Sequence, residues 1–290
     1  MCDLCDMSTE DLELASAELT IAHATGEKYR RPLTYDEQMF GDVEDVREDI
    51  ATGELLVIER ATPVVRKMAN QLADEALALG SDVTGIAKLS PSYMGELSAA
   101  MLKAYRLVFA AGTAQVERQY ERQTGKLLTD SPHPWLSKLK ELAEAPNKTP
   151  DEFDDVMKAN ADIAASAIAA AVALSMQEEA KRNIQAGIVT KEAYDASSDV
   201  AARAGFKRLE VSAVKDARQS MGMGRISAQV ELKDDILEIV YTAVLDTNMC
   251  SVCASMDGQR YPADEMGKAP NNDCLGFDYC RCFEITIFQR

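Results

Sequence analysis

The sequence DTNMCSVCASMDGQRYPADEMGKAPNNDCLGFDYCRC, residues Asp246–Cys282, decides how the C-terminal part of this chain folds. Five of the seven cysteines lie in it. Two runs of strand-forming residues border it, Ile236–Val244 before it and Phe283–Phe288 after it. Inside it, Asp257-Gly258 is a dipeptide typical of tight turns. The segment therefore predicts a small β-containing lobe that folds around a cluster of cysteines.

Four of these cysteines form two close pairs. Cys250 and Cys253 form a C-x-x-C pair, and Cys280 and Cys282 form a C-x-C pair. Side chains two positions apart in a strand point to the same face, so Cys280 and Cys282 could both face the first pair. Four thiolates in tetrahedral reach are typical of structural zinc, which would stabilise a lobe too small to have a large core. Disulfides and free thiols are the alternatives that the sequence leaves open.

The tail pattern resembles that of the phage head morphogenesis family, the Mu F-like minor head proteins. The residues that carry this resemblance are Asp246, Cys250-x-x-Cys253, Met256-Asp257-Gly258, Tyr261, Pro270 and Cys280-Arg281-Cys282. Two upstream motifs are similar to the arginine-bearing helices that lead into the family's tail, namely Asp216-Ala217-Arg218 and Gly224-Arg225. The resemblance therefore extends over roughly Val200–Ile287.

The tail departs from the family pattern at one position that bears on a metal site. The family commonly has a histidine where this chain has Phe277. Cys274 or Asp278 could take the place of that histidine as a ligand. The predicted zinc ligands are therefore Cys250, Cys253, Cys280 and Cys282, with Cys274 or Asp278 as alternates.

The resemblance implies a minor head protein that is made in the bacterial cytoplasm and stays in the virion near the portal vertex. It implies a role in head assembly, which could extend to DNA delivery. The implied partners are the portal protein and, further, the major capsid or scaffold protein, with several copies per particle. Two other functions are compatible with the sequence. One is an effector, a hydrolase or nucleotidyl enzyme, with a head-morphogenesis-like targeting module, and the other is a zinc-dependent cytosolic adaptor.

The chain is strongly acidic, with 48 Asp and Glu against 31 Lys and Arg and a formal net charge of −17. This argues against a large exposed DNA surface, but leaves open a local basic patch formed by Arg203, Lys207, Arg208, Lys215, Arg218 and Arg225. The charge fits two roles equally well, keeping the chain soluble or docking onto a basic protein surface. The acids expected to be exposed for that role are Asp42, Glu44, Asp45, Glu48, Asp49, Asp151, Glu152, Asp154 and Asp155.

Neither a membrane span nor a secretory signal is expected. No apolar run reaches roughly 18 residues without a charge. The N-terminus lacks the basic and apolar regions of a signal peptide. We therefore expect no membrane partner.

Upstream of the tail, the sequence predicts long helices. Thr62-Pro63, Ser90-Pro91 and Thr149-Pro150 predict helix starts, because a capping hydroxyl precedes proline in the first turn. Gly80 and Gly187 predict helix ends, and Gly222-x-Gly224 predicts the end of a helix that starts near Phe206. In the helix after Thr149-Pro150, a slim stripe at helical spacing is expected to pack on other helices and consists of Ile163, Ala167, Ala170 and Leu174.

The predicted fold class is mainly α, a long-helix body with a small β-containing Cys-rich C-terminal lobe (α+β). The predicted division is an N-terminal helical region at 1–145, a long-helix region at 150–235 and the Cys-rich, head-morphogenesis-like lobe at 236–290.

Catalytic motifs are absent from the sequence. The two histidines, His23 and His133, are far from the tail cysteines, so no cysteine has a base nearby in sequence. No Walker, H-E-x-x-H or G-x-S-x-G motif occurs. Cys2 and Cys5 form a second C-x-x-C pair without a partner pair, which we interpret as free thiols. We therefore expect a protein that is not an enzyme.

Overall fold

The structure is a computed structural model, and it describes residues 35–126, 151–243, 250–269, 271, 273–274 and 282–289. The chain divides into two compact units, Met1–Met39 and Phe40–Arg290. The elements in chain order are α1 (Tyr35–Leu79), α2 (Val83–Ile86), α3 (Met94–Thr124), α4 (Asp151–Gln185), α5 (Lys191–Glu231), β1 (Ile236–Thr242), α6 (Ser251–Met256), β2 (Arg260–Tyr261) and β3 (Phe283–Phe288). Four long helices followed by a three-stranded antiparallel sheet confirm the predicted fold class.

Some predicted helix boundaries are correct and others are wrong. Helix α1 ends just before Gly80 and α4 ends just before Gly187, and both glycines have positive φ angles. Pro63 does not start a helix, because α1 continues through it, and the Thr62 hydroxyl donates to the carbonyl oxygen of Ile58 at 2.7 Å. Helix α5 likewise runs unbroken from Lys191 to Glu231, so no helix starts near Phe206 and none ends at Gly222-x-Gly224.

Helices α1, α3, α4 and α5 share one hydrophobic core. The face of α4 that enters this core consists mostly of small residues, namely Met157, Ala161, Ala164, Ala165, Ile168, Ala169, Val172, Ala173, Met176 and Ala180. The stripe predicted to pack on other helices instead faces solvent, since Ile163 is 68% exposed and Leu174 is 60% exposed. The alanine-rich face packs inward because short side chains allow close helix approach, and the larger residues of the stripe face solvent.

Ion pairs join the long helices. Asp49 of α1 pairs with Arg118 of α3 at 2.5 Å. Asp154 of α4 accepts two hydrogen bonds from the guanidinium of Arg106, at 2.7 and 2.8 Å. Arg106 thereby lowers the pKa of the Asp154 carboxyl. Asp45 also pairs within the body, with Arg122. These three acids are therefore partly buried and paired within the body, and are not the fully exposed groups that the sequence predicted.

The basic patch is also not formed by all of the residues expected for it. Arg218 pairs with Glu54 at 2.5 Å, and its side chain is only 12% exposed. Arg225 is 4% exposed and donates to Gln115 Oε1 at 2.7 Å. Both arginines face the interior because they hold α5 to its neighbours, so they do not form part of an exposed basic surface.

Strand β1 is central in the sheet, in the order β2-β1-β3. Its face toward the helical body carries Ile239, which forms an apolar cluster with Phe288 of β3 and with Val116 and Tyr120 of α3. The rings of Tyr120 and Phe288 meet edge to face, with centroids 5.1 Å apart. The C-terminal lobe is therefore packed directly on α3.

Side chains of the body also occupy the outer edge of β3. Gln123 of α3 donates to the carbonyl oxygen of Thr286 and accepts from the amide of Phe288, both at 2.8 Å. Arg225 of α5 donates to the carbonyl oxygen of Glu284. Backbone groups left unpaired at the edge of a sheet can pair with another chain and cause aggregation. Here the side chains of Gln123 and Arg225 bond the backbone groups that a fourth strand would otherwise pair.

Candidate metal centre

The C-x-x-C pair lies at the start of the short helix α6. Cys250 is the N-cap of this helix, and its sulfur accepts from the amide of Cys253 at 3.4 Å. After α6, the carboxylate of Asp257 accepts from the amide of Ala243 at 2.8 Å, and the amide of Gly258 donates to the carbonyl oxygen of Tyr241 at 2.9 Å. The predicted Asp-Gly turn therefore holds the pair against the end of β1.

Three cysteine sulfurs converge at this point. The Sγ atoms of Cys250, Cys253 and Cys274 all lie within 4.8 Å of one another. Those of Cys250 and Cys274 are 3.7 Å apart. Tetrahedral zinc with Zn–S bonds of about 2.3 Å places its sulfurs about 3.8 Å apart. Cys253 and Cys274 are buried, so the cluster is shielded from solvent and could hold a metal ion.

Tyr241 and Cys282 complete the surroundings of the cluster. The Tyr241 hydroxyl donates to the sulfur of Cys253 at 3.6 Å, and Cys282 packs against the same small core. Burial, followed by hydrogen bonds with Cys282 and Cys253, raises the pKa of Tyr241. Burial also raises the pKa of Cys253, while its hydrogen bonds with Tyr241 and Cys282 act in the opposite direction. Cys282 therefore lies within reach of the cluster as a further thiol.

The donor set fits zinc better than a hard cation. The three converging ligand atoms are all sulfur, and soft thiolates select zinc and related metals over magnesium or calcium. The four described cysteines, Cys250, Cys253, Cys274 and Cys282, are free thiols, so no disulfide joins any two of them. The converging thiols could therefore hold a metal ion.

The sequence predictions for the site have different outcomes. Cys250 and Cys253 lie in the cluster, and Cys274, an alternate in the prediction, contributes the third sulfur. Cys282 adjoins the cluster. The predictions that fall outside the described residues concern Asp246, Pro270, Phe277, Asp278, Cys280, the N-terminal Cys2 and Cys5, and the histidines His23 and His133.

Sequence reasoning missed a buried carboxylate that organises the lobe. Glu284 in β3 is only 4% exposed, and its side chain accepts from the backbone amides of Gly267, Lys268 and Ala269 at 3.2, 2.5 and 3.2 Å. It therefore fixes the loop that leads to Cys274. The sequence signal for this role was the single charged residue in the strand Phe283–Phe288.

The fold and the site define a long-helix protein whose C-terminal lobe is built around a thiol cluster suited to a metal ion. Comparisons with protein-family models, with curated proteins and with solved structures found no match for this chain. Its function is therefore inferred from the residues of the lobe and from the resemblance of the tail pattern.

Proposed function

We propose that this protein is a phage minor head protein that associates with the portal vertex and acts in head assembly. The observation that carries the proposal is the tail pattern, a C-x-x-C pair followed by an Asp-Gly turn and a closing C-R-C. The proposed role is structural and not catalytic. The protein would be made in the host cytoplasm and retained in the virion, in several copies, with the portal protein as its principal partner.

The positions of the upstream motif residues support this proposal. Asp216 of α5 is buried and accepts from the hydroxyl of Tyr105 in α3 at 2.7 Å. Gly224 permits close contact between α5 and α3, and Arg225 binds the backbone of β3. Asp216 and Gly224 therefore hold α5 to α3 within the helical body, and Arg225 joins the body to the lobe, which is compatible with an architectural role for these motifs.

We further propose that the metal of the lobe is one structural zinc ion. Cys250, Cys253 and Cys274 would hold it, and Cys282 would supply the fourth thiolate, with Cys280 as the alternative. The ion would cross-link α6, the loop before Cys274 and the start of β3. Such a cross-link stabilises a lobe that is too small to rely on its own apolar core.

Co-purification tests the proposed function directly. The tagged protein is expressed with the portal protein encoded in the same genome and isolated over a range of salt concentrations. We expect a portal ring to be retained, and we expect a cryo-EM map of the particle to place the helical body at the portal vertex. Failure to retain portal at any salt concentration would overturn the assignment. A zinc-dependent adaptor would instead bind no head protein, including the major capsid and scaffold proteins.

A further inference from the structure

Helix α4 presents apolar side chains to solvent along one line. Val156, Ile163 and Leu174 are 40%, 68% and 60% exposed. Their spacings of about seven and eleven residues correspond to whole numbers of helical turns, so they lie on the same side of the helix. At 1.5 Å per residue, the line from Val156 to Leu174 is about 27 Å long. We call Val156, Ile163, Ala170 and Leu174 the α4 stripe.

The shape of this surface suits a helix. Ala159 and Ala170 are exposed and leave shallow gaps between the larger side chains of the α4 stripe. Met94 at the start of α3 is 46% exposed and extends the surface sideways, because its sulfur accepts from the hydroxyl of Ser166 at 3.5 Å. Alternating large and small residues accept the side chains of a facing helix, and methionine adapts to them.

Acids border the α4 stripe on one side. Asp151, Asp155 and Asp162 are exposed and follow one another at helical spacing, with the exposed Lys158 between Asp155 and Asp162, so this border keeps a net negative charge. Asp162 also accepts from the hydroxyl of Ser98 at 2.5 Å, which places this border beside α3. Asp154, in contrast, is turned toward Arg106. An apolar line with an acidic margin is complementary to an amphipathic helix whose polar side carries lysine or arginine.

We propose that the α4 stripe is the docking site for a basic amphipathic helix of another protein. Only the identification of that protein as the portal rests on the proposed function. By length and composition α4 could also cross a membrane, a test that core helices of soluble proteins pass as well. The opposite face of α4 is packed in the core, and the acidic border repels anionic lipid, so a basic helix is the occupant that both the shape and the charge favour.

The test uses a labelled peptide of about 18 residues, long enough to cover the α4 stripe, with leucines on one face and lysines on the other. Binding to the full chain is measured by fluorescence anisotropy. We expect salt to weaken binding, and we expect the double variant Ile163→Gln/Leu174→Gln to bind at least about tenfold more weakly, because two apolar contacts are lost. Val230→Gln is the matched control, because Val230 is 59% exposed on α5, and it should bind like the wild type.

Three outcomes would overturn the proposal. The first is equal binding of the lysine peptide by all variants, which would show a general charge effect. The second is binding of a glutamate-substituted peptide with equal affinity. The third is capture of the protein by phosphatidylcholine vesicles, or self-association through the stripe, without peptide binding.

Portal pull-down with the same variants is a separate experiment. Portal binding that is insensitive to the double variant would overturn the docking site alone, and peptide binding without portal binding would overturn the proposed function alone.

Discussion

Gly224 of α5 lies directly against the main-chain carbonyl of Phe109 in α3: a Cβ atom at Gly224 would be only 1.9 Å from that oxygen. The contact is nearly reciprocal, since a Cβ at Gly112 of α3 would lie 2.2 Å from the carbonyl oxygen of Met221. The hydroxyl of Thr113 donates to the carbonyl oxygen of Gly224 at 3.1 Å. The backbones of the two helices therefore touch where they cross, and only glycine fits there.

We expect Gly224→Ala to lower the free energy of unfolding by about 1–3 kcal/mol or more, because the helices must separate to accept the new methyl group. Gly222→Ala is a matched control two residues away, where a Cβ meets nothing within 4 Å. It should raise stability by about 0.5–1 kcal/mol, since alanine favours a helix over glycine. Urea unfolding of both variants checks this. A similar effect of the two substitutions would contradict the close contact.

Gly222 and Gly224 also show where prediction from the sequence fails. Glycine and proline commonly end or start helices, so Gly222-x-Gly224 and Thr62-Pro63 predicted boundaries. In the structure both lie inside long helices, because long-range packing overrides the local preference. Val65 and Met68, three residues apart after Pro63, are both fully buried, so they share the core face of α1. The core face of α1 therefore follows helical periodicity, whereas the stripe predicted in α4 faces solvent and the predicted breaks at Pro63 and Gly222 lie inside helices.

In the lobe, local patterns were the more informative. Strand β3 has the predicted bounds, and the C-x-x-C pair and Asp257-Gly258 adjoin the end of β1 as a short-range motif would. Cys274 and Glu284 were harder to place, because their partners are distant in sequence. The 24-residue separation of Cys250 and Cys274 is bridged by a loop that Glu284 fixes. No spacing rule encodes such a loop.

Cys274→Ser should remove zinc from the purified protein. The wild type is expected to hold about one zinc per chain, because three or four thiolates form a structural site. The variant should hold little, and its thermal midpoint should no longer fall when a chelator is added, since zinc binding contributes to folding. Metal content is measured by mass spectrometry. The control is Cys2→Ser/Cys5→Ser, which should keep its zinc. Zinc loss in both proteins, or none in the wild type, would contradict the site.

The Arg106–Asp154 pair predicts a stability difference that depends on pH. Arg106 lowers the pKa of Asp154 in the folded protein, so the pair stabilises the fold above the unfolded pKa of about 3.9. This contribution is lost as pH falls through the lower, folded pKa. Asp154→Asn should therefore cost about 1 kcal/mol at pH 7, a modest value because both side chains are about a quarter exposed. The cost should decline toward pH 3.

Urea midpoints of wild type and variant from pH 7 to pH 3 measure this dependence. The exposed neighbouring substitution Asp155→Asn is the control, and it should change stability little across the range. A cost of Asp154→Asn that is constant with pH would show that the variant acts through packing and not through the ion pair.

The glutamine that covers the edge of β3 predicts a local effect on the lobe. Gln123→Met keeps the length of the side chain but removes both hydrogen bonds, to Thr286 and from Phe288. Each partly buried backbone group left without a partner costs about 1–3 kcal/mol. The amide of Phe288 should therefore exchange with solvent faster, while the amides of the α3–α5 crossing keep their protection, because the loss is confined to the sheet edge.

Gln71→Met, which removes exposed hydrogen bonds to Glu75 and Ser92, is the control and should leave β3 unchanged. Hydrogen exchange read by NMR distinguishes the two variants. Uniformly faster exchange throughout the Gln123 variant would mean that the helical body and the lobe unfold as one unit, and unchanged exchange at Phe288 would mean that Gln123 does not hold the strand.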